Sequence, residues 1–392
     1  MKNEKQGSKI DYGIILSVLL LALISVGTLF STTYLIGSSS LRPTIMQILW
    51  FIVGAISIII VMQFDSEQLW KLTPYAYWFG VFLLVMVLFF YDRGMAQRAG
   101  AKSWFGIGPV SFQPSEVAKI SYILMLARVV TKHNSYFEEH TNHSDGILLG
   151  KVFLYSFIPI FLIMQQSDLG TALVFLAIMA GIILLSGIRW QIILPVFIMG
   201  VVAAGGILYL VIYNREFLFN LGVREYQFAR IDSWLDPYHD ASNASFQLMQ
   251  AMKAIGSGRI VGKGFGVSDV YVPVRESDMI FSTFAENFGF VGGSVLIFIY
   301  FMLAYQMINL VFQTKNEFYA YIATGVIMMI VFHVLENIGM NIGLLPLTGI
   351  PLPFISQGGS ALLANMLGIG LVMSMRYHYR SYMFSGDGED FH

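Results

Sequence analysis

"MKNEKQGSKIDYGIILSVLLLALISVGTLF", residues 1–30, opens with Lys2, Lys5 and Lys9 and then turns apolar. A basic start before an apolar run is shared by signal peptides and first membrane spans. The run here outlasts the roughly 7–15 apolar residues of a signal, and no clear A-x-A cleavage site follows it. It reads as a span, and the rest of the chain agrees. Of 392 residues, 56% are hydrophobic and only 12% charged, with a mean hydropathy of +0.67. A soluble domain carries about 25% charged residues.

A span needs about 20 apolar residues. Candidates lie near 12–36, 44–63, 74–91, 116–130, 147–164, 170–186, 191–213, 280–312, 318–336 and 359–375, ten in all, several short or kinked. The expected class is therefore an all-α polytopic membrane protein with a long structured loop between spans seven and eight. Ten spans put both termini on one side. If that side is cytoplasmic, the inner set is Lys2, Lys5, Lys9, Lys71, Arg128, Lys132, Lys151, Arg189, Lys315, Arg376 and Arg380. The short outer loops hold only Arg42, Arg93, Arg98 and Lys102. Eleven against four favours cytoplasmic termini. The extracytoplasmic loops are then about 92–115, 214–277 and 337–358.

Several functions are excluded early. A net charge of -1 argues against a nucleic-acid partner. The absence of cysteine removes thiol catalysis and zinc–thiolate sites. The run "GSGRIVGKGFG", 256–266, has three residues rather than four between Gly258 and Gly262, and no strand precedes it, so neither nucleotide fingerprint fits. No nucleotide, haem or flavin is expected. The glycines suit a tight turn or a close backbone approach to a ligand, with Arg259 and Lys263 as neighbouring cations or as solvated loop charges.

Five other stretches can carry chemistry. In "AGAKSWFGIGPVSFQPSEVAKI", 99–120, Pro114, Ser115 and Glu116 look like a helix start, and Lys119 shares a face with Glu116. Trp104 reads either as an interfacial anchor or as part of a site. In "QQSDLGTA", 165–172, Asp168 is a good N-cap at the mouth of a span. In "SFQLMQAMKAIGSG", 245–258, Phe246, Met249, Met252 and Lys253 suggest a helix lying in the membrane interface. "NIGMNIGLLPLTGIPLPFISQGGSALL", 337–363, is Gly- and Pro-rich between two spans, which is tolerated at membrane depth only where backbone is buried in protein or lines a cavity.

The fifth, "VPVRESDMIFSTFAENFGF", 272–290, sets Asp278 at the entry to span eight and Glu286 eight residues later. On a continuous helix Glu286 would lie about 12 Å further along and roughly 80° around, so one polar groove would be lined by both acids. The alternatives are an N-cap for Asp278 and an interhelical hydrogen bond for Glu286.

These motifs, in this order and over nearly the whole chain, resemble the SEDS family of bacterial cell-wall polymerases, whose members include RodA and FtsW. The resemblance implies a single integral membrane domain over 1–392, in the cytoplasmic membrane, with an extracytoplasmic active site that polymerises lipid II into glycan strands. The chain looks closer to RodA, the elongation member, being compact and without a long cytoplasmic extension. Asp278 matches the family's proposed catalytic acid, placed to deprotonate the acceptor hydroxyl. Trp104 matches a substrate-groove tryptophan. Gln113, Ser115, Glu116 and Lys119 match the Q-P-S-E…K motif, Asp168 the D-G-T motif, and Ser356 lies in the matching "GIPLPFISQGGSALL". Glu286 matches the first of a frequent acid pair and is expected to support the groove. The polyprenyl diphosphate leaving group calls for cations, with Lys119, Arg259 and Lys263 as candidates, or a divalent Mg²⁺ or Mn²⁺.

The chain departs from the family at Val274, Ser277, Met279, Asn287 and Gln357, none of which removes Asp278. The resemblance implies a class B penicillin-binding protein as partner, with other elongation-complex membrane proteins beside it. A lipid II flippase remains compatible with intramembrane acids and broken helices. So does a scaffold that only recruits the transpeptidase.

Overall fold

A computed structural model describes residues 10–35, 41–107, 110–137, 139–220, 225–238, 243–314 and 316–382. The chain runs through α1 (Tyr12–Leu35), α2 (Arg42–Val61), α3 (Ser66–Phe90) and a short α4 (Arg93–Ala99). A hairpin of β1 (Phe105–Ile107) and β2 (Val110–Phe112) leads into α5 (Pro114–Tyr136), then α6 (Asn142–Gln165), α7 (Leu169–Leu185) and α8 (Trp190–Tyr213). The long connection that follows holds α9 (Arg215–Asn220), α10 (Glu225–Leu235) and α11 (Asn243–Ser257). It is followed by α12 (Ile280–Gln313), α13 (Glu317–Asn341) and α14 (Gly359–Tyr382).

The helices start where local chemistry satisfies their first amides. Asp65 and Gln68 form a capping box on α3, Thr141 caps α6, Asp168 caps α7 and Asn316 caps α13. All ten expected spans are helices, but two differ in kind. Eight are long and apolar enough to cross a membrane, and α7 is apolar but only 17 residues. The tenth, α5, is less apolar: it carries Glu116 and Lys119, both buried in protein, a half-buried Arg128 and an exposed Lys132. At 23 residues it is about 35 Å long, enough to span.

Burial separates centre from rim. The apolar windows of α13 and α14 are 67% and 72% buried, that of α8 only 6%. Leucine, isoleucine and phenylalanine exposed along α2, α3, α6 and α8 present a lipid-facing surface. The main apolar core runs through α1, α3, α5, α7, α12, α13 and α14. Asp11 before α1 pairs with Arg376 on α14, so the start of α1 and the last turns of α14 meet at one end of the bundle.

The stretch 342–358 re-enters the bundle as its composition requires. Ser25, in the middle of α1, donates to the Ile355 carbonyl at 2.9 Å, Gln47 donates to Ser356 O at 3.2 Å, and the Tyr300 hydroxyl to Pro353 O. Its irregular backbone is thus satisfied by buried side chains from three helices.

Two expectations change. First, the protein-packed face of α11 is not the Phe246, Met249, Met252 and Lys253 stripe, although Met252 packs at its edge. Its buried stripe is Leu248, Ala251 and Ala254, packed on Val272, Met279, Met340 and Leu347, while Lys253 is exposed. Second, α12 is broken at Gly289 (φ 66°, ψ -164°), so Glu286 lies on a short first segment and not deep in one continuous span.

Candidate functional site

The break in α12 explains the glycine-rich run. The amides of Lys263 and Gly264 donate to Glu286 O and Asn287 O at 3.0 and 3.1 Å, and those of Phe290 and Val291 to Arg259 O and Ile260 O at 2.9 and 3.0 Å. The loop 258–266 therefore takes up backbone groups that the break would orphan. A Cβ on Gly262 would fall 2.1 Å from Asn287 O, and one on Gly289 2.3 Å from Gly262 N, both at positive φ. The close approach is to the protein's own helix, not to a ligand.

Glu286 is the centre of this seam. It is fully buried and accepts from Lys263 Nζ at 3.0 Å, Ser268 Oγ at 2.6 Å, the Asp269 amide at 3.1 Å and Ser257 Oγ at 3.4 Å. Lys263 also pairs with Asp269 at 2.9 Å, so its charge is engaged by two carboxylates rather than offered to a diphosphate. Asn287 ties the loop to α1 through Gly266 N at 2.8 Å and Ser31 Oγ at 2.8 Å. Arg259 keeps an exposed side chain at this seam.

Asp278 sits in a different setting, in the turn before α12 and half-buried. Its backbone is fixed by α13: Asn337 Nδ2 and Asn341 Nδ2 donate to the Asp278 carbonyl at 2.8 and 3.0 Å, and Asn337 also reaches Ile350 O at 2.8 Å. Ser356 braces the preceding residue by donating to Ser277 O at 2.6 Å while accepting from Leu352 N at 2.8 Å. The carboxylate itself receives the Ser277 hydroxyl at 2.7 Å. Gly349 borders Oδ2, which lies 3.6 Å from where a Cβ would stand. Burial pushes this carboxyl above its ordinary value, and the Ser277 hydroxyl, a backbone N–H and the charge of Arg230 oppose that push.

Several other expected residues connect to this end of α13 or to the loop that follows it. Gln113 Nε2 donates to Asp168 Oδ2 at 3.1 Å, and Asp168 caps Thr171 N at 3.0 Å. Gly170 packs on Thr348 and Ile350, which brings the start of α7 to the loop beside Asp278. Lys119, 1% exposed, holds both oxygens of Glu116 at 2.9 Å and lies 3.1 Å from His333 Nε2. His333 Nδ1 is 2.5 Å from Met329 O, and a carbonyl only accepts. Nδ1 therefore carries the proton and Nε2 accepts from Lys119. His333 and Asn337 stand one turn apart, so one polar stripe of α13 joins the Glu116–Lys119 pair to Asp278. Ser115 is buried, and its hydroxyl has no partner among the described residues. Trp104 is half-buried where the hairpin begins, its carbonyl accepting from Asp92 N at 2.8 Å.

Asp278 and Glu286 therefore do not line one groove. The sequence reading also missed Arg230, Asn337, Asn341, His333 and Glu336. For the asparagines a signal existed, since two amides four residues apart in a helix share a face. Glu336 is buried beside the Thr348 hydroxyl. Among the described residues no three acidic or imidazole groups converge to hold a metal. A divalent ion here has no ready protein cage and would depend on phosphate oxygens, as Mg²⁺ often does.

Residues 11–381 match the family model FtsW/RodA/SpoVE, described as cell cycle protein. The peptidoglycan glycosyltransferase MrdB of Escherichia coli (strain K12) is 33% identical over 329 residues, covering 83% of each chain. Stage V sporulation protein E of Bacillus subtilis (strain 168) is 31% identical, covering 85% of this chain and 87% of that one. The peptidoglycan glycosyltransferase RodA of Treponema pallidum is 28% identical over 93% of this chain and 97% of its own. In fold, the chain resembles a solved peptidoglycan synthase complex component (TM-score 0.75, 23% identity, 95% and 98% covered). Rod shape determining protein RodA of Thermus thermophilus follows, with TM-score 0.67, 24% identity and 94% and 97% covered.

Proposed function

The chain belongs to the FtsW/RodA/SpoVE family, and from that premise we propose that it polymerises lipid II into glycan strands, with Asp278 as general base. It is a multi-pass membrane enzyme, a peptidoglycan glycosyltransferase of the elongation type. The observation that carries the mechanism is the state of Asp278. Its main chain is held by Asn337 and Asn341, yet its carboxylate, lifted in pKa by burial, sits at the edge of the re-entrant loop. A fixed carboxylate with raised basicity suits proton abstraction near neutral pH.

In the proposed step Asp278 takes the proton of the acceptor hydroxyl as that oxygen bonds to the anomeric carbon of the donor. The bond from that carbon to the diphosphate oxygen breaks, and its electron pair leaves with polyprenyl diphosphate. A single displacement inverts the anomeric centre. Lys119 holds Glu116 and fixes α5 against α13, a supporting part. Gln113, Asp168 and Ser356 fix the backbone around the site, and Trp104 offers a ring for a sugar face. Bound Mg²⁺ or Mn²⁺ would neutralise diphosphate charge.

We place both termini in the cytoplasm and Asp278 at the outer face, on the lysine and arginine bias. A class B penicillin-binding protein is the proposed partner that crosslinks the product, with other elongation-complex membrane proteins around it. The test is labelled lipid II in detergent with Mg²⁺ or Mn²⁺, with and without that partner. Polymer is expected from wild type and not from Asp278→Asn. A flippase would give no polymer without a second compartment, and a scaffold would leave Asp278→Asn cells growing.

A further inference from the structure

The expected diphosphate cations are largely engaged elsewhere. Lys119 is buried on Glu116, and Lys263 is held between Glu286 and Asp269. Arg275, 5% exposed, donates to Val270 O at 2.6 Å and to Ser268 Oγ at 3.3 Å. Arg259 belongs to the Gly289 end of the short helix 280–289, about 15 Å along its axis from the Asp278 end. The cation beside Asp278 comes instead from the long connection.

Arg230 on α10 is half-buried and donates through Nη1 to Thr348 O at 3.1 Å. The next residue in the chain, Gly349, borders the Asp278 carboxylate. Guanidinium and carboxylate thus flank one peptide unit of the re-entrant loop. One turn further along α10, Trp234 Nε1 donates to Gly343 O at 3.2 Å, so a single face of this helix grips the loop at two points. Phe228 and Ile231 pack on Val211 and Leu218, which anchors α10 to the end of α8.

We propose that Arg230 forms the diphosphate subsite of the donor lipid, across the Thr348–Gly349 peptide from Asp278. This deepens the polymerase reading and rests on it. A guanidinium has five N–H donors in a planar fork and serves a backbone carbonyl and phosphate oxygens together. The separation of roles is chemical: the carboxylate takes the acceptor's proton, and the guanidinium meets the charge that leaves with the diphosphate.

The test uses full-length protein in detergent and two probes, undecaprenyl diphosphate and undecaprenyl monophosphate, with the affinity for each measured directly. The readout is the ratio of the two affinities, which does not depend on how much of a variant is folded. Wild type and Asp278→Asn should both favour the diphosphate. Arg230→Gln should cut that preference about 10- to 100-fold, as for loss of hydrogen bonds to a charged group, and Arg230→Lys should restore part of it. An unchanged ratio in Arg230→Gln would overturn the assignment, including when the variant melts earlier, because Arg230 would then only hold the loop. Wild type that makes no polymer from lipid II would overturn the polymerase reading instead, since the ratio is read without turnover.

Discussion

Asp278 and Glu286 are eight residues apart and both lie next to the start of α12, yet they occupy opposite extremes of carboxylate chemistry. Glu286 is fully buried and saturated, with a lysine, two hydroxyls and a backbone amide on its two oxygens. Asp278 is half-buried, and its carboxylate has the Ser277 hydroxyl and the more distant charge of Arg230. Glu286 makes many contacts and so has little capacity for a substrate. Asp278 is held by its backbone, which leaves its oxygens available. On the proposed mechanism this difference divides the work: the saturated Glu286 holds structure, and Asp278, fixed through its main chain, is assigned the chemistry.

The largest expected effect is on turnover. Asp278→Asn should lower polymerisation about 10²- to 10⁴-fold, the span assigned to a general base. Its stability should move the other way. A carboxyl whose pKa is raised in the folded state binds protons there more readily than in the unfolded chain, so its contribution favours folding at low pH and declines as pH rises through the raised value. At neutral pH the ionised Asp278 opposes folding. Asp278→Asn should therefore melt no earlier than wild type at pH 7, which thermal unfolding in detergent would check.

Glu286→Ala should show the reverse pattern. Removing one partner of a buried pair costs about 3–5 kcal/mol, and here it also detaches the 257–269 loop from α12. Unfolding would come first, and lost activity would follow only in proportion to the unfolded fraction. Gly262→Ala probes the same seam by sterics alone. Its Cβ would meet Asn287 O at 2.1 Å, and left-handed strain adds about 1–3 kcal/mol to the cost of relieving that overlap. Lowered protection of the Phe290 and Val291 amides in hydrogen exchange would report it. The smallest effect belongs to Ser277→Ala. Loss of that hydroxyl removes a group that lowers the Asp278 pKa, so the rising limb of the pH–rate profile should move to higher pH, with a loss below about tenfold at the optimum.

Much of this architecture was legible in the sequence, for reasons the structure makes plain. Apolar runs of span length are local facts, and all ten appear as helices. The re-entrant stretch was legible because Pro353 and its neighbouring glycines cannot form a regular span. Asp168 was legible as a cap, since its carboxylate binds an amide three residues away. The Lys263–Glu286 pair and the break at Gly289 were not legible. Each depends on the loop 258–266 returning to α12, a contact between segments more than 20 residues apart. Arg230 was hidden for the same reason. Within "FARID" it looks like any solvated loop charge, and only the fold brings Thr348 and Gly349 to it.

One experiment sets the two acids against each other most directly. Wild type, Asp278→Asn and Glu286→Gln would be purified in the same detergent, and each sample split between thermal unfolding and polymerisation of labelled lipid II. We predict a silent Asp278→Asn that melts at or above wild type, and a Glu286→Gln that melts early while its folded fraction still makes polymer. A stable, silent Glu286→Gln beside an active Asp278→Asn would contradict the account and move the chemistry to the other carboxylate.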